Sequence, residues 1–212
     1  MKSLVIKLLI VSIAVLIFIG CNNSNPRTNK NNLTLKNLKT AYKHEIEACA
    51  KYAAFAKKTR EEGMDRLSVL FISESKAKNI IANNFKAEIE KLGAKVDSTK
   101  PEFEVKTTLE NLHESNKQET NDFINIYPKF VIESKKENSE GAENLFIWVI
   151  ESDKKNNVFI ADAIQAIDQH TTNAFYTLYL VCPKCGNIYY PHQVDEKCSN
   201  CKTEKEKFIP IG

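Results

Sequence analysis

The chain has 212 residues, enough for one or two domains with a real hydrophobic core. Its 30 Lys and Arg residues nearly balance 27 Asp and Glu residues, giving a net charge of +3, and the lysines are spread along the chain. This pattern argues against a nucleic-acid-binding protein. The chain contains only six Gly and six Pro residues, which favours long helices over a β-sandwich.

Residues 1–20 have the pattern of a targeting segment, with two lysines ahead of an apolar run that ends at Ile19. The run is short for a transmembrane helix. A glycine and then Cys21 follow it, which resembles a bacterial lipoprotein signal and implies that Cys21 is lipidated. The alternatives are an uncleaved membrane anchor and an ordinary signal peptide. We therefore expect a lipid-anchored protein of the cell envelope, outside the cytoplasmic membrane, with residues 21–34 as a flexible tether.

From residue 35 to residue 172 the apolar residues recur with a helical period, which predicts four helices. Their expected bounds are about 35–62, 65–92, 107–138 and 140–170. Gly63 and Gly93 end the first two helices, and Glu110 is placed to cap the third. The loop before the third helix is long enough to cross the bundle. Two helical hairpins with one long crossover predict a ferritin-like four-helix bundle.

Each predicted helix carries polar residues on its otherwise apolar face, near the middle of its length. They are Glu45 in the first helix, Glu74 and Lys78 in the second, Glu119 and Asp122 in the third, and Asp153 and Asn156 in the fourth. Burying a charge costs several kcal/mol unless the charge is paired or bound to a metal. Four helices with polar residues at one level indicate a shared site, or the remains of one.

Residues 173–212 contain two Cys-x-x-Cys motifs with twelve residues between them. The four cysteines are Cys182, Cys185, Cys198 and Cys201. Four thiolates at this spacing bind one tetrahedral metal ion, usually zinc or iron. The alternative is two disulfides, since the chain carries an export signal. Short β-rich segments surround the motifs, so the sequence predicts a mainly α protein with a small C-terminal β metal-binding domain.

These features together resemble the rubrerythrins, in which a ferritin-like bundle precedes a rubredoxin-like domain. The resemblance spans about residues 35–211. It is carried by the segments Ala41-Tyr42-Lys43-His44-Glu45, Glu90-Lys91-Leu92-Gly93, Glu119-Thr120 and Tyr127-Pro128, and by the four cysteines. The resemblance implies iron binding, oxidoreductase activity and reduction of hydrogen peroxide at a pair of irons in the bundle, with electrons supplied by the rubredoxin-like iron.

Transferred position by position, the resemblance implies a degraded di-iron site. The matching positions are Glu45, Lys78, Ile81, Glu119, Asp122, Asp153 and Asn156. Both histidines of the family pattern and one glutamate are therefore missing, and no catalytic residue is assigned. His44 lies next to a ligand position in the sequence, but we expect it on another, exposed face of its helix.

Three states of the bundle are open at this point. In the first, the bundle binds no metal and Lys78 pairs with the carboxylates, some of which are protonated. In the second, four carboxylates bind one hard cation such as Mn, Mg or Ca. In the third, a di-iron peroxidase works with substituted ligands. Whether the chain is an enzyme depends on which state is correct.

The sequence thus predicts a rubrerythrin-like electron-transfer lipoprotein with one iron centre held by the four cysteines, zinc being the alternative metal. The alternative function is a non-enzymatic, zinc-stabilised structural or adaptor lipoprotein. We expect a redox partner protein, contact with the membrane through the lipid anchor, and no nucleic acid. A homodimer is implied by the resemblance alone.

Overall fold

The structure, a computed structural model, describes residues 32–212. The predicted signal segment, the lipidation site Cys21 and almost all of the tether lie outside the described residues. Within residues 32–212, no helix combines the length and the apolar character that crossing a membrane requires.

Residues 32–212 form five α-helices. They are α1, Leu33–Glu61; α2, Asp65–Lys91; α3, Thr108–Asn121; α4, Tyr127–Lys136; and α5, Glu140–Asp168. A π-helical segment, Asp122–Ile126, joins α3 to α4 without a break. The predicted third helix therefore exists, but it is divided by a stretch of wider turns. With α3 and α4 counted as one rod, the helices form the predicted four-helix bundle.

Local sequence explains where the helices begin and end. The Asn32 side chain accepts a hydrogen bond from Leu35 N at 3.0 Å and caps α1. Thr107 and Glu110 form a reciprocal capping box at the start of α3, as their spacing predicts. Gly63 and Gly93 follow α1 and α2.

The bundle core consists of two apolar clusters, one toward each end of the helices. One cluster contains Phe55, Phe71 and Phe159, and the other contains Phe85 and Phe146. In α1 and α5, Glu45 and Asp153 lie between the residues of the two clusters, and in α2 Lys78 lies where one cluster gives way to the other. The polar residues therefore form a layer between two dry regions, which isolates them from solvent.

The C-terminal region forms a small antiparallel sheet. Its strands are β1, Tyr179–Val181; β2, Ile188–Tyr189; and β3, Ile209–Ile211, in the order β2-β1-β3. Val181 pairs with Ile188 on one side and with Ile209 on the other. The first Cys-x-x-Cys motif lies between β1 and β2, and the second lies between β2 and β3, inside the isolated bridge of Lys197 with Glu204.

Gly186 fixes the contact between the first Cys-x-x-Cys motif and the bundle. Its φ angle is +77°, a conformation that favours glycine, and an added Cβ would lie 2.8 Å from Ala77 O and 3.0 Å from Ile81 Cγ1. Only a residue without a side chain allows the motif to approach α2 this closely. The cysteine cluster is therefore held directly against the bundle.

Candidate metal centre and the polar layer of the bundle

The four cysteines of the two motifs converge on one point. Their Sγ atoms all lie within 4.8 Å of one another. The sulfurs of Cys182 and Cys201 are 3.4 Å apart, and those of Cys185 and Cys198 are 3.5 Å apart. A disulfide bond is about 2.05 Å long, and the four cysteines are free. The disulfide alternative is therefore wrong, and the predicted four-sulfur cluster is present.

Hydrogen bonds hold both motifs in their turns. Gly186 N donates to Cys182 O, and Lys202 N donates to Cys198 O, each at 3.0 Å. These equivalent turns aim the sulfurs of each motif toward the other motif. Hydrogen bonds from Cys182 and Cys185, and then from Tyr189, hold the pKa of the Cys198 thiol well below its usual range.

The donor set fits iron or zinc. Cys182, Cys185 and Cys198 are buried and Cys201 is half-buried, so the cluster lies just below the surface. Tyr189 and Phe208 pack beside it with ring centroids 5.4 Å apart. Four sulfur ligands that can surround one ion tetrahedrally are typical of zinc sites and of rubredoxin-type iron sites.

At the centre of the bundle, Lys78 of α2 lies among carboxylates from the other helices. Its Nζ atom is 2.7 Å from Asp153 Oδ1, 2.9 Å from Glu119 Oε1 and 3.6 Å from Glu45 Oε2. Lys78 is 1% exposed. Burial alone lowers the pKa of Lys78, but the charges of the three carboxylates raise it well above its usual value. The buried lysine is therefore a permanent cation.

Two tyrosines complete the ion-pair cluster. Tyr127 Oη donates to Glu45 Oε1 at 2.5 Å, and Tyr52 Oη donates to Glu119 Oε1 at 2.7 Å. Burial raises the pKa of Glu45, but Lys78 and its other partners bring the pKa down to about 2. Glu45 is consequently ionised at neutral pH, paired with the ammonium group and solvated by a phenol.

Glu74 differs from the other acids of the layer. It is fully buried, and within the part of the chain that the structure describes neither of its carboxyl oxygens has a hydrogen-bond partner. Burial, and then the charge of Glu119, raise the pKa of Glu74 well above its usual value. Glu74 is thus a neutral carboxylic acid. The sequence pattern placed it on the buried face of α2 but gave it no role.

The expectation that His44 is exposed is wrong. Its ring is half-buried, with Nε2 3.5 Å from Asp122 Oδ2 and Nδ1 3.9 Å from Glu45 Oε1, and it also contacts Gln118. Burial raises the pKa of Asp122 to about 6 although His44 opposes the shift. The reason for the error is that α3 and its π segment cover the face of α1 that carries His44.

A family model described as rubrerythrin matches residues 36–156. The chain belongs to the rubrerythrin family. It is similar to a putative rubrerythrin of Methanocaldococcus jannaschii, with 25% identity over 185 residues that cover 82% of this chain and 91% of the relative. It is also similar to nigerythrin of Nitratidesulfovibrio vulgaris, with 28% identity over 183 residues that cover 82% of this chain and 85% of the relative.

Solved structures agree with this assignment. A structure of nigerythrin in a mixed-valence state matches with a TM-score of 0.76 and 26% identity, covering 84% of this chain and 86% of that chain. An open-pore ferritin of Archaeoglobus fulgidus matches with a TM-score of 0.56 and 14% identity, covering 65% and 86%, which shows the fold alone. The predicted family and fold class are confirmed. Membership of the rubrerythrin family and the four-cysteine cluster together support an iron-binding redox protein.

The side chains of the bundle differ from the rubrerythrin ligand pattern at three positions that the structure describes. Lys78 places an ammonium group among the carboxylates. Ile81 has no ligand atom and packs in an apolar cluster with Phe85. Asn156 is buried with both of its amide atoms unpaired within the described residues. In residues 32–212, the cysteine cluster is the only set of His, Cys, Asp and Glu side chains whose ligand atoms converge enough to hold a metal. The residues of the polar layer do not fit a pair of irons.

Proposed function

We propose that the protein is a one-electron carrier that holds a single iron at Cys182, Cys185, Cys198 and Cys201. The observation that carries the proposal is the convergence of four free sulfurs within 4.8 Å of one another in a chain of the rubrerythrin family. Iron bound by four thiolates takes up and releases one electron without loss of a ligand.

The surrounding residues suit this role. The rings of Tyr189 and Phe208 exclude water from the buried side of the cluster, and half-buried Cys201 brings the opposite side close to the surface, where a partner protein docks. The electron comes from a one-electron donor protein, such as a reduced flavoprotein or iron–sulfur protein. It leaves to a one-electron oxidant of higher potential. No atom or proton is transferred in this reaction.

Metal content per chain, measured together with the visible spectrum, tests the proposal. We expect about one iron per chain and a red chromophore that dithionite bleaches and air restores. Cys198→Ser is the matched control, because it removes one ligand and should abolish the chromophore. One zinc per chain without colour would overturn the proposal and favour the structural or adaptor lipoprotein.

We also propose that the bundle contains no metal and that Lys78 serves as its internal cation. Support comes from the three contacts of Lys78 Nζ with carboxylates, at 2.7–3.6 Å, and from the lack of a ligand atom at Ile81. A protonated amine repels a metal ion and occupies the space between the carboxylates. The competing states are a single hard cation and a working di-iron peroxidase.

Metal analysis separates these states. About three irons per chain, with hydrogen peroxide turnover that Glu45→Gln or Glu119→Gln abolishes, would establish the peroxidase. One Mn, Mg or Ca per chain that survives dialysis would establish the hard-cation site. We expect neither the three irons nor a bound hard cation. Glu45→Gln and Glu119→Gln should change the stability of the protein but not its iron content.

Membrane attachment through Cys21 is the remaining part of the proposal, and it rests on the sequence. Cells fed a radiolabelled or alkyne-tagged fatty acid should incorporate it into the protein. Cys21→Ala should abolish the labelling and release the protein from the membrane fraction. Labelling that persists in Cys21→Ala would contradict the anchor.

A further inference from the structure

Lys155, on α5 of the bundle, reaches across to the cysteine cluster. Its Nζ atom lies 3.3 Å from the centroid of the Tyr189 ring. At this distance the cation lies on the face of the ring and is attracted by its π electrons. The adjacent Lys154 is exposed and instead pairs with Glu151 at 2.8 Å. The two neighbouring lysines of α5 therefore have different partners, Lys155 an aromatic ring and Lys154 a carboxylate.

Tyr189 connects this cation to a cysteine sulfur. Its hydroxyl oxygen accepts hydrogen bonds from Ser199 N at 3.0 Å and from Asn187 Nδ2 at 2.9 Å. Both lone pairs of the oxygen are thereby used, so the hydroxyl proton must point elsewhere. It is directed to Cys198 Sγ, at 3.3 Å, with Ser199 Oγ at 3.0 Å as a second acceptor. The larger radius of sulfur makes 3.3 Å a close contact.

We propose that Lys155 and Tyr189 form a tuning pair that raises the reduction potential of the four-cysteine centre. This inference rests on the proposed function, since it concerns the same site. Reduction adds a negative charge to the metal–thiolate unit, and a nearby ammonium group stabilises that charge. An O–H donor on Cys198 acts in the same direction because it withdraws electron density from the sulfur.

The two residues also act on each other. A cation on the face of a phenol ring draws electron density from the ring and makes its hydroxyl a stronger donor. Lys155 therefore strengthens the hydrogen bond from Tyr189 to Cys198. Burial lowers the pKa of Lys155 to about 8, and the charges of Cys198 and Cys185 oppose this shift. The cysteine sulfurs are thus the principal negative partners of this lysine.

The test is a spectroelectrochemical titration of the full-length, iron-loaded protein. For Lys155→Met and for Tyr189→Phe we expect a roughly tenfold lower equilibrium constant for reduction, which is about 59 mV for a one-electron couple. Lys154→Met is the matched control, with an expected change under roughly twofold. The double variant should shift the potential by less than the sum of the single shifts, because the residues cooperate.

Lys155→Arg supplies the rescue. Arginine keeps the positive charge over the ring, so the reduction potential of this variant should stay close to that of the unchanged protein. If Lys155 acted only by packing against the ring, the charge of the replacement would not matter, and the methionine and arginine variants would not differ on that account. Equal shifts for Lys155→Met and Lys154→Met, or no shift for either Lys155→Met or Tyr189→Phe, would overturn the tuning pair.

A second readout separates this inference from the electron-carrier proposal. In cobalt-substituted protein, the energy of the sulfur-to-metal charge-transfer bands reports the electron density on the thiolates and needs no redox activity. Lys155→Met and Tyr189→Phe should shift these bands to lower energy, and Lys154→Met should leave them in place. If the purified protein holds zinc but the bands shift, the carrier proposal fails, whereas the effect of Lys155 and Tyr189 on the thiolates is still shown. Bands that do not move would overturn the tuning pair.

Discussion

Lys78 Nζ lies 2.7 Å from Asp153 Oδ1 and joins α2 to α5 through the polar layer of the bundle. Asp153 is fully buried, and its second oxygen, Oδ2, has no hydrogen-bond partner in the described residues. Burial, and then the charge of Glu119, raise the pKa of Asp153 well above its usual value, and the ammonium group of Lys78 opposes this shift. The stability of the polar layer therefore depends on Lys78.

Replacing this lysine with a hydrophobic residue of similar length should destabilise the protein. Lys78→Met leaves buried carboxylates without a cation, and we expect the free energy of unfolding to fall by about 3–5 kcal/mol. Urea denaturation at neutral pH measures the change. Lys76→Met, at an exposed position of the same helix, is the control and should have little effect. An unchanged free energy of unfolding in Lys78→Met would contradict the ion-pair cluster.

Restoring the family pattern should restore metal binding to the bundle. The variant combines Lys78→Glu, Ile81→His, Asp153→Glu and Asn156→His. With the ammonium group removed and both histidines present, we expect about two additional irons per chain, as in di-iron carboxylate bundles. Iron analysis after anaerobic loading, corrected for the iron of the four-cysteine centre, measures the gain.

The decisive control keeps Lys78 and introduces the other three substitutions. Its ligands are nearly complete, but a fixed positive charge remains between them, so we expect no additional iron. Equal iron loading with and without Lys78→Glu would show that the lysine does not exclude the metal, and the internal-cation proposal would be wrong.

The parts of this site that follow a repeating pattern were predictable from the sequence. Helical periodicity placed Glu45 and Lys78 on buried faces, and the spacing of the cysteines gave the four-sulfur cluster. His44 was misjudged because the pattern of one helix does not tell which neighbour covers its other faces. The contact of Lys155 with Tyr189 joins α5 to β2 and leaves no periodic signal, so only the folded chain reveals it.

Glu74 makes the stability of the protein depend on pH. Its pKa in the folded state is raised well above the usual 4.5, so the folded protein binds a proton that the unfolded chain has lost. Stability contributed by this group is therefore present below pH 4.5 and is lost as pH rises toward the folded pKa. Glu74→Gln keeps the shape and removes the titration. We expect the variant to match the unchanged protein at about pH 4 and to be increasingly more stable from about pH 5 to pH 8.

Urea denaturation at each of these pH values measures this difference. Glu102→Gln, at an exposed loop position, serves as the control and should track the unchanged protein throughout. A constant difference between Glu74→Gln and the unchanged protein across the range would mean that the pKa of Glu74 is not raised by folding.

The hydrogen bond from Tyr127 to Glu45 gives a prediction for the other side of the polar layer. Tyr127 Oη donates to a fully buried, ionised carboxylate at 2.5 Å. Tyr127→Phe removes this donor, and loss of a hydrogen bond to a charged group should cost about 1.5–3 kcal/mol of stability. Tyr42→Phe, at a half-buried tyrosine of α1, provides the comparison. A cost no greater than that of Tyr42→Phe would show that Glu45 is satisfied by Lys78 alone.

Removal of the metal from the four-cysteine centre should affect the two parts of the C-terminal region differently. Tyr179 and Val181 of β1 belong to the same apolar cluster as Phe159 of the bundle, whereas Val194 and Phe208 belong to the cluster that contains the cysteines, with Trp148 of α5 packed against it. In the metal-free protein or in Cys198→Ser, we expect backbone amides of residues 194–208 to lose protection from hydrogen exchange. Amides of β1 and of the helices should keep most of theirs, because their packing needs no metal.

Hydrogen exchange read by mass spectrometry on loaded and metal-free protein makes this comparison. The zinc-loaded protein is the control, since zinc restores the four-sulfur cluster without redox activity and should restore protection to residues 194–208. Loss of protection throughout α2 and α5 on metal removal would contradict a bundle that is stable by itself. It would mean that the contact of Gly186 with Ala77 transmits the state of the metal centre into the polar layer.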